Sequence, residues 1–311
     1  MFRWSCRAAS SGLRAARACS QLSADSSDQL QTLLNKGASA SSVAAYLRLT
    51  MRPGVCFYVR SPHEDEAHGI TESAVCTLAD ALRCDGNSLS ELVLYGGLGP
   101  AGAHALGDML CVNETLSRLA LFQSQIGEDG ATALAAALAA GAPLSHLDME
   151  YSDTGCAGAV ALADALHVNT TLSRLTLTGN QLCDLRLGPG GEMEGSYAPE
   201  GVRAIAAMLE CNMALQSLSL CANCIADAEG VALARALSGN VTLRVLDLQH
   251  NEQLGRATWA AFEEMRMARK KNLETPRLTV THGIAAPKQP QKRRPGGGGE
   301  QRERKSCDSV V

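Results

Sequence analysis

The chain has 311 residues and a formal net charge of −4, with 46% hydrophobic, 19% charged and only 4% aromatic residues. No apolar run reaches the roughly 20 residues needed to span a bilayer, which excludes a membrane-spanning helix, and the hydrophobic content excludes a chain disordered throughout. The small net charge is a cancellation. Residues 1–24 carry four Arg and no acid, residues 266–311 carry twelve Lys/Arg against four Asp/Glu, and residues 25–265 are left at −16. An acidic body lacks the basic face that phosphate contacts need, so no nucleic acid is expected at the folded region.

The first 27 residues form a basic leader. Arg3, Arg7, Arg14 and Arg17 fall within about 80° of each other on a helical wheel, and the acid-free, Arg- and Ser-rich residues 1–24 resemble a mitochondrial transit peptide. Residues 28–67 hold the apolar run GVCFYV (54–59) followed by the acidic SPHEDEAHG (61–69). They are expected to form an N-terminal cap with an irregular strand.

Repetition governs residues 68–253. Leu82, Leu110, Leu138, Leu166, Leu209 and Leu237 are spaced 28, 28, 28, 43 and 28, and Leu78, Leu106, Leu134, Leu162, Ile205 and Leu233 keep the same spacing four residues earlier. Leu92, Leu119, Leu147, Leu175, Leu218 and Leu246 form a second series, followed two residues on by Leu94, Leu121, Met149, Leu177, Leu220 and Leu248. The 43 marks one insertion, at about 184–199. Within each copy an alternating stretch such as LSRLTLTGNQL (172–182) predicts a short strand and a turn, and EGVRAIAAMLE (200–210) predicts a helix with one apolar face. Gly102, Gly130, Gly158 and Gly201 stand eight positions before the helix-end leucine, where a small residue lets the entering loop lie close to the helix start. A unit with one apolar face per element buries its core only by stacking on its neighbours.

Beyond the repeats, 254–272 predicts an amphipathic C-terminal capping helix, with Trp259 and Phe262 closing the last unit and basic residues at its C-terminal end. Residues 273–311 read as a basic disordered tail.

The pattern L-x-x-L-x-L-x-x-N-x-L at 28 residues per unit resembles the leucine-rich repeat proteins, specifically their ribonuclease-inhibitor-like subfamily. Asn180 and Asn223 fill the asparagine position, Asn251 fills it with one extra residue before Leu254, and Ser124, Ser152 and Gly97 replace it in the early copies. The resemblance implies an α/β solenoid, a horseshoe with parallel strands on the concave face and helices on the convex face. It also implies an asparagine ladder along the turns, weaker in the early copies.

No motif for nucleotide binding, metalloprotease or serine-hydrolase chemistry is present, so no enzyme and no small-molecule substrate is expected. Cys221 and Cys224 form a lone C-x-x-C without the second ligand pair of a zinc site; no metal or other cofactor is expected. The scattered cysteines fit an intracellular protein with reduced thiols, cytoplasmic, or mitochondrial if residues 1–24 act as a transit peptide. Alternation along the strands puts Glu91-Val93-Tyr95, Arg118-Ala120-Phe122, His146-Asp148-Glu150 and Arg174-Thr176-Thr178 on the concave face. Tyr95 and Phe122 then stand side by side, bordered by Arg118, His146, Asp148, Glu150 and Arg174. Aromatic residues and Arg are what protein interfaces favour. The expected function is a non-catalytic scaffold or adaptor holding another protein on this face. The alternative is a regulator of a small GTPase, like the Ran-type GTPase-activating proteins of the same subfamily.

Overall fold

A computed structural model describes residues 24–50, 56–59, 70–83, 89–187, 192–271 and 278–281. The N-terminal region contributes α1 (Ala24–Asn35), α2 (Ala40–Thr50), β1 (Cys56–Val59) and α3 (Glu72–Leu82). Strands and helices then alternate: β2 (Glu91–Tyr95), α4 (Gly99–Leu110), β3 (Arg118–Phe122), α5 (Gly127–Ala139), β4 (His146–Asp148), α6 (Gly155–Val168) and β5 (Arg174–Thr176). The insertion is a hairpin of β6 (Leu185–Leu187) and β7 (Met193–Gly195), after which α7 (Glu200–Cys211), β8 (Ser217–Ser219), α8 (Asp227–Ala236), β9 (Val245–Asp247), α9 (Arg256–Lys271) and β10 (Thr279–Thr281) complete the chain.

Eight strands form one parallel sheet in the order β1-β2-β3-β4-β5-β8-β9-β10, and the β6–β7 hairpin stands apart as an antiparallel pair. The register is in phase throughout: Leu92 lies opposite Leu119, Leu119 opposite Leu147, Leu147 opposite Leu175, Leu175 opposite Leu218 and Leu218 opposite Leu246. With the helix leucines they form one continuous core, each exposed by 1% or less. This is the α/β leucine-rich repeat solenoid, because the apolar column of each strand has no partner except the helices behind it.

Helix stacking depends on the four glycines, which lie against the entering loop as expected and against the preceding helix as well. A Cβ on Gly102, Gly130, Gly158 or Gly201 would come 3.3, 2.9, 3.0 or 2.8 Å from Leu98 Cγ, Ile126 Cβ, Thr154 Cγ2 or the Leu182 carbonyl oxygen of that loop. A Cβ on Gly130, Gly158 or Gly201 would lie 2.8, 2.7 or 2.9 Å from the Cβ of Ala103, Ala131 or Ala159, one helix earlier. The glycines therefore set how closely consecutive helices pack, and Ala supplies the facing small surface.

Three expected boundaries are corrected. The leader does not end at 27: α1 begins at Ala24, and its Leu30 and Leu34 are buried in one cluster with Val43 and Leu47 of α2. The cap strand is not irregular, since β1 pairs parallel with β2, Cys56 opposite Glu91. The tail is not structureless from 273: Thr279–Thr281 adds a strand to β9, Thr279 opposite Val245. Residues 1–23 and 282–311, where the transit-peptide reading and most of the tail fall, lie outside the described residues.

Candidate protein-binding face

The turn after each strand fixes what the concave face displays. In four copies the ladder residue sits between two left-handed residues: Gln123 and Gln125 around Ser124, Tyr151 and Asp153 around Ser152, Gly179 and Gln181 around Asn180, Ala222 and Cys224 around Asn223. Non-glycine residues avoid this conformation, at a cost of about 1 kcal/mol or more each, so other interactions must hold the turn. Asn223 does so with three bonds: its Nδ2 donates to the carbonyls of Leu177 (2.7 Å) and Cys221 (3.0 Å), and its Oδ1 accepts from Asn180 N (2.8 Å). Asn251 repeats the pattern toward Leu220, Leu248 and the N–H groups of Asn223 and Ile225. Asn180 Oδ1 accepts from Ser152 N, Thr154 N and Thr154 Oγ1. The serines offer less. Ser152 Oγ reaches Leu121 O at 3.0 Å, and Ser124 Oγ reaches only Phe122 O, at 3.2 Å.

Two further networks leave no plain column in the sequence. Asn113, Asn169, Asn212 and Asn240 are buried where a helix passes into the next strand. Each donates from Nδ2 to the helix-end carbonyl one repeat earlier, Leu82, Leu138, Leu166 and Leu209, at 2.7–3.0 Å. These carbonyls have no partner inside their own helix. Arg269 of α9 extends the series by donating to Asn240 O. Acidic residues cap the opposite helix ends across repeats: Glu72 accepts from Ala101 N (2.8 Å), Glu128 from Ala157 N (3.1 Å), and Asp227 from Gly255 N and Thr258 N (both 2.9 Å). The receiving helices α4 and α6 have no side-chain cap of their own. Burial would raise the Asp227 carboxyl, but hydrogen bonds from the Thr258 hydroxyl and from the N–H groups of Thr258, Gly255 and Ala257 hold it below the usual range. The insertion is tied down where it ends, with Tyr197 Oη donating to Glu229 Oε2 and Arg203 Nη2 to Glu229 Oε1 at 3.0 Å.

On the concave face, the sheet register places Glu91, Arg118, His146 and Arg174 in one column, Val93, Ala120, Asp148 and Thr176 in the next, and Tyr95 opposite Phe122 in the third. Glu150 continues the third column, its carbonyl accepting from Gln123 N at 2.9 Å. The Tyr95 and Phe122 rings stack with centroids 4.8 Å apart and planes at 28°. Both are half-buried, and beneath their flank Val93 and Ala120 are buried, so the middle column is covered at this end. Arg118 pairs with Glu91 (Nε to Oε1, 3.2 Å). Thr178 and Cys221, further along the third column, are buried too.

The polar part of the face is electrostatically unusual. Burial, then the adjacent Glu150 charge, push the Asp148 carboxyl up to about 8, against the pull of Arg118, the Glu150 N–H and Arg174. Burial raises Glu150 as well. His146 is held below its ordinary value by burial and then by Arg174 and Arg118, so it is neutral at pH 7; its Nδ1 lies 2.8 Å from Ser145 Oγ. Asp148 Oδ1 is enclosed and has no hydrogen-bond partner. All seven expected residues thus share one patch, spanning β2 to β5.

Among the described residues no group of three or more His, Cys, Asp and Glu is placed to hold a metal ion. Burial raises the thiols of Cys156, Cys183 and Cys224, Cys183 to about 12, which leaves them protonated. Among the same residues no helix is long and apolar enough to cross a membrane.

A family model described as Leucine Rich repeat matches residues 112–135 and 239–255. The first window runs from just after α4 through Asn113, β3 and its turn into α5, and the second from just after α8 through Asn240 and β9 to the turn before α9. No curated protein matches the chain. Similar solved structures include the crystal structure of the Rad7 and Elc1 complex in yeast, at 12% identity over 88% of this chain and 86% of that one, with a TM-score of 0.27. At that score the likeness carries no argument.

Proposed function

We propose, from the premise that the chain is a leucine-rich repeat protein, that it is a non-catalytic scaffold holding a protein partner on its concave face. The 28-residue period supports placing it in the ribonuclease-inhibitor-like subfamily. The observation that carries the function is the stacked Tyr95–Phe122 pair. In a chain with 4% aromatic residues, two rings stand half-exposed on adjacent strands, with Glu91, Arg118, His146, Asp148, Glu150 and Arg174 around them. Such rings supply large apolar area at little entropic cost, and a charged border orients what lands on them. The reading of the chain as no enzyme rests on its sequence, which carries no nucleotide-binding, metalloprotease or serine-hydrolase motif.

The test compares partners bound by the intact chain with those bound by Tyr95→Ala/Phe122→Ala and by Val168→Ala on the convex helix α6. The scaffold reading expects the concave double variant alone to lose its partner. Retention of every partner at wild-type strength by that variant contradicts it.

A further inference from the structure

We infer that the partner presents a cationic side chain, Lys or Arg, to this face, with the Asp148 and Glu150 carboxyls as its acceptors and the Phe122–Tyr95 stack as the apolar wall along its stem. The inference rests on the concave face being the binding surface, and it names the chemistry read there.

The argument starts from an acceptor the fold leaves unmatched. Asp148 Oδ1 is shut away from water without a hydrogen bond, a costly arrangement for a carboxyl group. The Glu150 N–H and the Arg118 and Arg174 charges pull on this carboxyl, but none of them hydrogen-bonds Oδ1. Arg118 on β3 is paired with Glu91 of β2, the His146 ring on β4 is neutral and meets Ser145, and the Thr178 hydroxyl lies 3.0 Å from Ser219 Oγ. Arg174 on β5 is exposed. As a whole residue Asp148 is half-buried and keeps part of its surface.

Glu150 stands two residues on, on the same face, and beside Phe122 on the adjacent strand. Two carboxyls next to an aromatic face are a combination that suits an ammonium or guanidinium group on an aliphatic stem. The surrounding body is complementary, with residues 25–265 at −16. The charged and titratable groups facing Asp148 are Glu91 of β2, Arg118 of β3, His146 and Glu150 of β4 and its turn, and Arg174 of β5. Near neutral pH the two carboxyls retain a proton that a docking cation displaces, so binding releases a proton and strengthens as pH rises.

A phage-displayed library of random peptides, selected on the full chain, tests this. The expected binders carry Lys or Arg. They bind roughly tenfold or more weakly to Asp148→Asn/Glu150→Gln and to Tyr95→Ala/Phe122→Ala. Wild-type affinity should climb about tenfold between pH 6 and 9, and the climb should vanish in the carboxamide variant. Both variants are checked by circular dichroism for a wild-type spectrum and a cooperative unfolding transition.

Binders without basic residues that still need Tyr95 and Phe122, or binders indifferent to the carboxamide variant, overturn the cation and leave the face. Binders indifferent to both double variants, or a library that yields none, contradict the face as well. If a chain lacking 282–311 binds the selected peptides at least tenfold more tightly than the full chain, the occupant is this chain's own basic tail, which overturns a partner as the source of the cation.

Discussion

The early repeats, β2 to β4, and the late ones, β5 to β9, share one core register but differ in how their turns are held. In the late repeats Asn180, Asn223 and Asn251 lock each turn to the one before. In the early repeats Ser152, Ser124 and Gly97 occupy the same place with fewer bonds. The early strands β2 and β3 are five residues long, against three for β4, β5, β8 and β9, and they carry the aromatic pair at their ends. The late concave positions are Arg174, Thr176 and Thr178, then Ser217, Ser219 and Cys221, then Val245, Asp247 and Gln249, with no aromatic ring among them. On the proposed function, the difference places rigidity and recognition in different stretches of one solenoid. The late ladder holds the spring, and the early face, with weaker turns, bears the residues suited to a partner.

The strongest way to break this comparison is Asn223→Ala. It removes three buried hydrogen bonds and leaves the Leu177 carbonyl and the Asn180 N–H unmatched, while the Cys221 carbonyl keeps its bond from Gly179 N, and should cost about 3 kcal/mol in chemical denaturation. Ser124→Ala should cost about 1 kcal/mol or less. Equal costs would erase the distinction. Next in size, Gly130→Ala and Gly201→Ala should each cost about 2 kcal/mol, because the added methyl overlaps the preceding helix in both halves. A matched pair of losses would confine the difference between the halves to the turns.

Asp148→Asn should work in the opposite direction. The folded carboxyl has its pKa raised above the unfolded value, so above about pH 4 the unfolded chain releases a proton that the native chain retains. Native stability is therefore lost progressively as pH rises from about 4 to 8, and the substitution should recover at least about 1 kcal/mol at pH 8 and little at pH 4. A stabilising loss of an acid would mark the early face as kept for something other than folding.

The smallest effect belongs to Asp227, whose folded carboxyl is depressed by the bonds it accepts. Its contribution is present above the unfolded pKa and disappears as pH falls through the lower folded one. Asp227→Ala should cost about 1 kcal/mol at pH 7, and the difference from wild type should fade below pH 4.

The repeat core was legible because each leucine meets the same surroundings in every unit, so the columns Leu82 to Leu237 and Leu92 to Leu246 recur at fixed spacing. The concave residues followed from strand alternation alone. The second asparagine series was hidden because Gly141 interrupts it between Asn113 and Asn169, and the insertion stretches the step to Asn212. The helix-capping acids were harder still to read. Glu72 and Glu128 stand two repeats apart, with Pro100 between them, so a 28-residue comparison averages them away. Nor does any sequence pattern mark how deeply Asp148 is set, because that depends on side chains from four strands. The regular pairing of the expected cap strand β1 went unread, and the added strand β10 was missed, for a related reason. Each borrows its pairing from a repeat strand, Glu91–Leu94 or Val245–Asp247, and needs little pattern of its own.

The central claim is that a protein partner sits on the early concave face. A photo-crosslinking residue placed at Phe122, compared with one at Val168, which is 66% exposed on the convex side, tests it most directly. The account predicts a covalent adduct with the partner from position 122 and none from 168. Adducts from 168 with none from 122 would contradict it.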